Sequence, residues 1–156
     1  MMDSLDLERK ENFIMNGNAE LLNFVYQNAK MGVNTMKQIL DRVEEGCLKE
    51  HLRKQLTEYE DFQQEARKKL NENGFDEKGI GAFDRLKTYL MINMQTMMDA
   101  GEEHIAKMLI TGSNMGIVEA TQNIKRYQNA EKEIIKLMER LLHMEEKNVE
   151  ELKKYL

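Results

Sequence analysis

The stretch that decides the fold is KMLITGSNMGIV, residues 107–118, near the middle of the longest helical pattern in the chain. It contains Met115-Gly116-Ile117, a Met-Gly pair followed by a β-branched residue. The same arrangement occurs upstream as Met31-Gly32-Val33, inside the first strong helical pattern. We interpret this echo as the mark of two similar helical hairpins. Such a duplication predicts an architecture but no obvious chemistry.

The composition of the chain points to one class of protein. Its 156 residues fit a single domain, and an apolar content of 41% is enough for one core. There is no proline and no tryptophan, and 33% of the residues are charged. These features are typical of long, straight, solvated helices. We therefore predict an all-α protein.

The charge and the cysteine content restrict the cellular compartment and the classes of binding partner that we expect. A formal net charge of −5 without a basic face argues against nucleic-acid binding. No segment approaches the roughly 20 apolar residues of a membrane span, and residues 1–16 lack the apolar core of a signal peptide. The single cysteine, Cys47, cannot form an internal disulfide, which suits a reducing compartment. We expect a soluble, cytoplasmic protein with no membrane partner.

Apolar and small residues recur at spacings of three and four along four helical segments, which is the period of a bundle seam. The predicted helices are residues 18–45, 47–73, 81–128 and 129–156, after a flexible lead-in at residues 1–17. The third is so long that we predict a kink or restart at Asp99-Ala100-Gly101-Glu102, which resembles a capping box. Short links predict antiparallel hairpins, and the longer loop at residues 71–81 joins them. Residues 18–156 therefore form one domain with the layout of a ferritin-like antiparallel four-helix bundle, with an extended or kinked third helix.

Small residues match between the first and third helices. Gly116 lies 84 positions after Gly32, and Ser113 lies the same distance after Ala29. Glycine inside a helix costs about 1 kcal/mol relative to alanine, so two glycines at matching positions need a compensating reason. Close approach of two backbones supplies one. We predict a helix crossing at Gly32, Gly116, Ala29 and Ser113.

The chain lacks the ligands of a di-iron site. Such a site needs a Glu from each of two helices and a Glu-x-x-His pair from each of the other two. No Glu-x-x-His occurs here, and the apolar seam of the first helix contains no carboxylate. The seam of the last helix contains Glu145, whose counterpart in the duplication is Tyr59. We predict a hydrogen bond between these two side chains across the core, since buried polar groups are normally paired.

Two metal-handling alternatives stay open. Thioethers and an imidazole on one helix face suit Cu(I) as soft ligands. That set is Met97, His104 and Met108. Iron is the second alternative, and its set is Glu139, His143 and Glu145. Methionine is more often a flexible filler of cores and interfaces, so we expect the Met91–Met98 stretch to pack on a second copy of the chain.

Three segments resemble a known group of proteins. They are VYQNAKMGV at residues 25–33, LKEHLRKQL at 48–56 and HIAKMLITGSNMGI at 104–117. They look like segments of uncharacterised bacterial ferritin-like proteins that are common in anaerobic spore formers. The first hairpin is also distantly similar to the spore-coat protein F family. The resemblance covers residues 18–156, and only the Gly112–Gly116 region is at all specific.

The resemblance implies a ferritin-like fold and a cytoplasmic or spore-associated setting. It supplies no catalytic motif, so no functional residue is transferred. Together with the residues themselves, it favours a non-enzymatic bundle without cofactor or metal. We expect such a bundle to serve as a structural or protein-interaction module and to form a homodimer.

Overall fold

The computed structural model describes residues 2–77, 83–95 and 101–156. Within these ranges the chain forms five α-helices and a short 3₁₀ turn, and no strand is present there. The elements are α1 (Ser4–Leu40), α2 (Cys47–Glu72), α3 (Asp84–Gln95), α4 (Glu102–Arg126), α5 (Lys132–Leu152) and the 3₁₀ turn (Lys153–Tyr155). The predicted all-α class is confirmed.

The helices associate as two antiparallel hairpins. α1 packs most extensively on α2, and α4 packs most extensively on α5. The hairpins meet through α1, which contacts both α4 and α5, whereas α3 rests on α4. The core is a single cluster of apolar side chains drawn from all five helices. The antiparallel hairpins that the short links predicted are therefore present, with a fifth helix added.

The first helix begins much earlier than predicted. It starts at Ser4, and the side chain of Asp3 caps it by accepting a hydrogen bond of 2.8 Å from the backbone N–H of Asp6. The predicted start at Asn18 is wrong, because this residue lies inside α1. Its side chain instead accepts a hydrogen bond of 2.9 Å from the backbone N–H of Glu131, just before α5. The flexibility of residues 1–17 stays a prediction.

Of the other helix boundaries, the end of α2 agrees with the prediction, whereas the end of α1 and the start of α5 differ by a few residues. α2 ends as predicted at Asn73-Gly74, where Gly74 has a φ of +72° that favours glycine, and the N–H of Phe75 bonds back to the carbonyl of Leu70. α1 ends at Leu40 rather than Glu45. Gly46 therefore precedes α2 instead of terminating α1. α5 begins at Lys132, with Glu131 rather than Asn129 at the cap position.

The predicted third helix is two helices. α3 ends at Gln95, and α4 begins after Gly101, whose carbonyl accepts a hydrogen bond from the N–H of Ile105. The predicted restart is therefore confirmed at Gly101, while Asp99 lies outside the described residues. α4 then continues without interruption through Gly112 and Gly116. In the described parts of the chain, no helix has both the length and the apolar character that a membrane crossing requires.

Candidate functional site

A buried carboxyl group lies where the two hairpins meet. Glu145 of α5 is only 5% exposed. Its Oε1 atom accepts a hydrogen bond of 2.8 Å from the hydroxyl of Tyr59 on α2 and another of 3.1 Å from the side-chain amide of Asn28 on α1. The predicted hydrogen bond between Tyr59 and Glu145 is confirmed. A single oxygen atom thus links three helices from both hairpins.

The surroundings of Glu145 favour its uncharged form. Burial raises the pKa of this carboxyl, while hydrogen bonding with Tyr59, Asn28 and Ser113 offsets part of the shift. Burial also raises the pKa of Tyr59 well above its usual value, and the neighbouring charge of Glu145 raises it further. No Lys, Arg or His is found among the described residues that line this space. In the absence of a nearby cation, burial therefore favours the protonated form of this carboxyl.

The second oxygen of Glu145 is an exception to the rule that buried polar atoms are paired. In the described part of the chain, its Oε2 atom has no hydrogen-bond partner within ordinary hydrogen-bond geometry. Because Oε1 already accepts two hydrogen bonds, Oε2 is the atom that carries the proton in the acid form. Glu145 also lines a cavity of about 40 Å³, whose wall includes Thr35 and Ser113. This volume is enough for an ordered water molecule that accepts the proton in a hydrogen bond.

Three glycines make room for this polar cluster. A Cβ atom on Gly32 would lie 2.5 Å from ring carbons of Tyr59, and one on Gly116 would lie 3.2 Å from Oδ1 of Asn28. A Cβ on Gly112 would lie 3.3 Å from a methyl group of Leu90. The glycines therefore let the backbones approach the side chains that surround Glu145.

The predicted helix crossing is only partly reproduced. Gly116 of α4 does lie against α1, next to Asn28. Gly32 instead faces Tyr59 of α2, because the aromatic ring occupies the space on that side of α1. Ala29 is buried in the core, and Ser113 lines the cavity. That Ala29 and Ser113 mark a crossing of α1 and α4 stays a prediction.

α3 covers the cavity on one side. Leu86 and Leu90 of this helix form part of the cavity wall. Just before α3, the ring of Phe83 packs on Phe24 of α1 with the two centroids 4.7 Å apart. Near its other end, the guanidinium group of Arg42 donates a hydrogen bond of 2.8 Å to the backbone carbonyl of Met94. α3 is therefore attached to α1 at both ends.

The structure describes two of the three residues of the predicted copper set. Met108 is buried, whereas His104 is exposed on the same helix, and Met97 lies outside the described residues. The prediction placed these residues on the seam of one continuous helix, but α4 starts anew after Gly101. The copper set stays a prediction, since Met97 cannot be placed relative to His104 and Met108.

The structure does not bring the three residues of the iron set together. Glu139 and His143 are exposed on the outer surface beside Lys136 and Arg140, while Glu145 points into the core. One position along a helix turns a side chain by about 100°, so spacing alone placed them too near one another. No group of three or more His, Cys, Asp or Glu side chains that could hold a metal ion exists within residues 2–77, 83–95 and 101–156.

Asn28 is the member of the site that sequence reasoning missed. It precedes Ala29 and therefore lies just beside the apolar seam, where an amide is usually solvated. The signal that could have identified it is its distance of four residues from Gly32, which puts both on one side of α1.

Comparison with known proteins adds no relative. No family model, no curated protein and no solved structure matches this chain. The ferritin-like resemblance therefore depends on the sequence segments alone, whereas the helical bundle itself is observed.

Two exposed apolar surfaces lie away from the buried cluster. The first belongs to residues 4–16 of α1, which we name the N-terminal arm. It exposes Leu5, Leu7 and Phe13, with exposed fractions of 61%, 49% and 48%. The second consists of Met91 and Ile92 on α3, which are 57% and 53% exposed. In contrast, Met94 of the same helix is buried, and Met98 lies outside the described residues.

Proposed function

We propose that this protein is a non-enzymatic, ferritin-like helical bundle that acts as a structural or protein-interaction module and works as a homodimer. The observation that carries the proposal is the N-terminal arm, which extends beyond the rest of the bundle with apolar side chains exposed. In the setting that the resemblance to spore-forming bacteria implies, such a module belongs in the cytoplasm or in a spore-associated assembly.

None of the residues that the structure describes covers the arm. α1 contains 37 residues and α2 contains 26, which correspond to about 55 Å and about 39 Å. Because α2 runs antiparallel from the far end of α1, it stops short of the arm. Every described residue from Met2 to Phe13 is exposed. Isolated helices of this length are marginal in water, so an arm of this kind gains stability from a partner.

A second copy of the same chain is the partner that the arm suits. Its charges have both signs, with Arg9 and Lys10 between Asp6, Glu8 and Glu11. Two arms that lie antiparallel can cover each other's leucine and phenylalanine side chains while opposite charges meet. Such a two-fold contact is the commonest way in which identical subunits associate. A strongly acidic or basic partner would instead meet like charges on the arm.

The interior supports a non-enzymatic role. Glu145 is the polar group best placed for chemistry, but its Oε1 atom is held by Tyr59 and Asn28, and burial raises the pKa of its carboxyl. A buried carboxyl of one hairpin that bonds to two helices of the other is suited to joining the two hairpins. The negative net charge is the reason that we assign no nucleic acid as a partner.

Sedimentation equilibrium of three full-length proteins tests the proposal. We expect the wild type to sediment as two chains of 18.4 kDa each. Leu5→Lys with Phe13→Lys should weaken association at least about a thousandfold, because each copy loses two buried apolar side chains. This variant should sediment at the mass of one chain.

A matched control is available on α3. The sequence predicted the Met91–Met98 stretch as the dimer contact, but Met94 of this stretch is buried within its own chain, and we propose the arm instead. Met91→Lys with Ile92→Lys replaces two apolar side chains of similar exposure and should therefore leave the dimer intact. Loss of the dimer in this control alone would move the interface to the Met91–Met98 stretch and refute the role of the arm. A wild type that sediments as one chain at all concentrations would refute the homodimer itself.

A further inference from the structure

A groove runs between α1 and α3 on the surface next to the buried cluster. We name it the α1–α3 groove, and its volume is about 470 Å³. Its apolar floor consists of Met31, Leu90, Met91 and Met94. Its cationic groups are Lys30, Arg42 and Lys87. The remaining wall is formed by uncharged polar side chains of both helices.

The charge of the groove is opposite to that of the protein. The whole chain has 28 acidic and 23 basic residues, yet no acidic residue occurs among the described residues that line the groove. Lys30 and Lys87 form no ion pair within the described ranges of the chain. Two unpaired lysines beside an apolar floor create a local positive potential that an anion can neutralise.

The two ends of the groove differ. At one end, the guanidinium group of Arg42 bonds to the carbonyl of Met94 and closes the gap between α1 and α3. Lys30 and Lys87 belong to the other end. Ten residues of α1, about 15 Å, separate Lys30 from Leu40, and Arg42 follows just after the end of this helix. The methionine floor lies between these ends. The groove thus has a positively charged end and an apolar channel leading away from it.

We propose that the α1–α3 groove binds one amphipathic monoanion, namely a straight-chain alkyl carboxylate of medium length. The carboxylate lies between Lys30 and Lys87, and the alkyl chain lies along Met31, Met91 and Met94. Unbranched, flexible methionine side chains adapt to an unbranched chain. The volume falls within the usual range of about 300–1,000 Å³ for small-molecule sites.

Calorimetric titration of the full-length protein with decanoate, below the concentration at which decanoate forms micelles, tests the proposal. We expect saturable binding of one decanoate per chain. Lys30→Gln with Lys87→Gln should raise the Kd at least about tenfold, because two charge-assisted contacts with the carboxylate are lost. The matched control is Lys136→Gln with Lys147→Gln on the opposite side of the bundle, beside α2, which should leave the Kd unchanged.

Separate compounds test the alkyl chain of the ligand and its charge. Octanoate should bind up to about tenfold more weakly than decanoate, since each buried methylene contributes about 0.8 kcal/mol. Decyltrimethylammonium, which has the same chain length and the opposite charge, should not bind in the groove. Met91→Glu adds a negative charge to an exposed position on the floor and should abolish decanoate binding without loss of helicity. No binding of decanoate, or equal binding to the wild type and the double lysine variant, would overturn the proposal.

Discussion

Alanine at Gly32 tests whether the core is built around the contact between α1 and Tyr59. A Cβ atom at this position would lie 2.5 Å from two ring carbons of Tyr59 and 2.7 Å from a third. Carbon atoms normally pack at about 3.5–4.0 Å, so the ring would have to move by about 1 Å. Tyr59 is 4% exposed and its hydroxyl is bonded to Glu145, so the ring cannot move by this amount without disturbing that hydrogen bond.

The expected loss of stability follows from these contacts. Overpacking of a core costs about 1–3 kcal/mol, and a weakened hydrogen bond to the buried carboxyl adds about 1–3 kcal/mol. The higher helix propensity of alanine returns about 1 kcal/mol. We therefore expect Gly32→Ala to lower the free energy of unfolding by about 1–5 kcal/mol. For a chain of this size, each kcal/mol moves the Tm by about 2–4 °C.

Gly17 provides the matched control on the same helix. A Cβ on Gly17 would meet side chains of Ala130 and Tyr127 at 3.5 Å, which is an ordinary contact. Gly17→Ala should therefore raise the free energy of unfolding by about 0.5–1 kcal/mol. Denaturant unfolding at one fixed protein concentration compares both variants with the wild type. If Gly32→Ala is as stable as Gly17→Ala, the tight contact with Tyr59 does not exist and the description of the core is wrong.

Two further predictions concern the interior. Because the pKa of Glu145 is raised in the folded state, its contribution to stability is full below the ordinary pKa near 4.5 and is lost as pH rises through the folded-state pKa. Glu145→Gln, which is uncharged at every pH, should therefore gain stability relative to the wild type between pH 4 and pH 8 in denaturant melts; parallel stability curves would show that burial does not shift this pKa. Elemental analysis of the purified protein should find no stoichiometric iron, manganese, zinc or copper. One metal ion per chain that disappears in Glu145→Gln would favour the metal-handling alternative.

The two antiparallel hairpins could be predicted from the sequence because their signals are local. Regular apolar spacing specifies which face of a helix is buried, and Gly74 marks the end of α2 through its positive φ. The restart at Gly101 could be predicted because the apolar spacing over residues 81–128 is too long for one uninterrupted helix of the bundle. The hydrogen bond between Tyr59 and Glu145 followed from the duplication, which placed two polar residues at equivalent seam positions.

The N-terminal arm and α3 were harder to predict. The arm has no partner among the described residues, and it lacks the apolar seam from which a buried helix is recognised. The signal for its start is the Asp3 cap. α3 continues the apolar spacing toward α4, which made two helices resemble one. Asn28 was missed because an amide beside an apolar seam has the same pattern as a solvated residue. Its role depends on where α2 and α5 place Tyr59 and Glu145, which no local pattern contains.

The native mass of the full-length protein is the most direct test of the proposal that this bundle is a self-associating, metal-free module. Native mass spectrometry under non-denaturing conditions reports the number of chains and any bound metal in one spectrum. We predict a species of two chains, each of 18.4 kDa, without bound metal ions. A single chain, or a dimer with one metal ion per chain, would contradict the account.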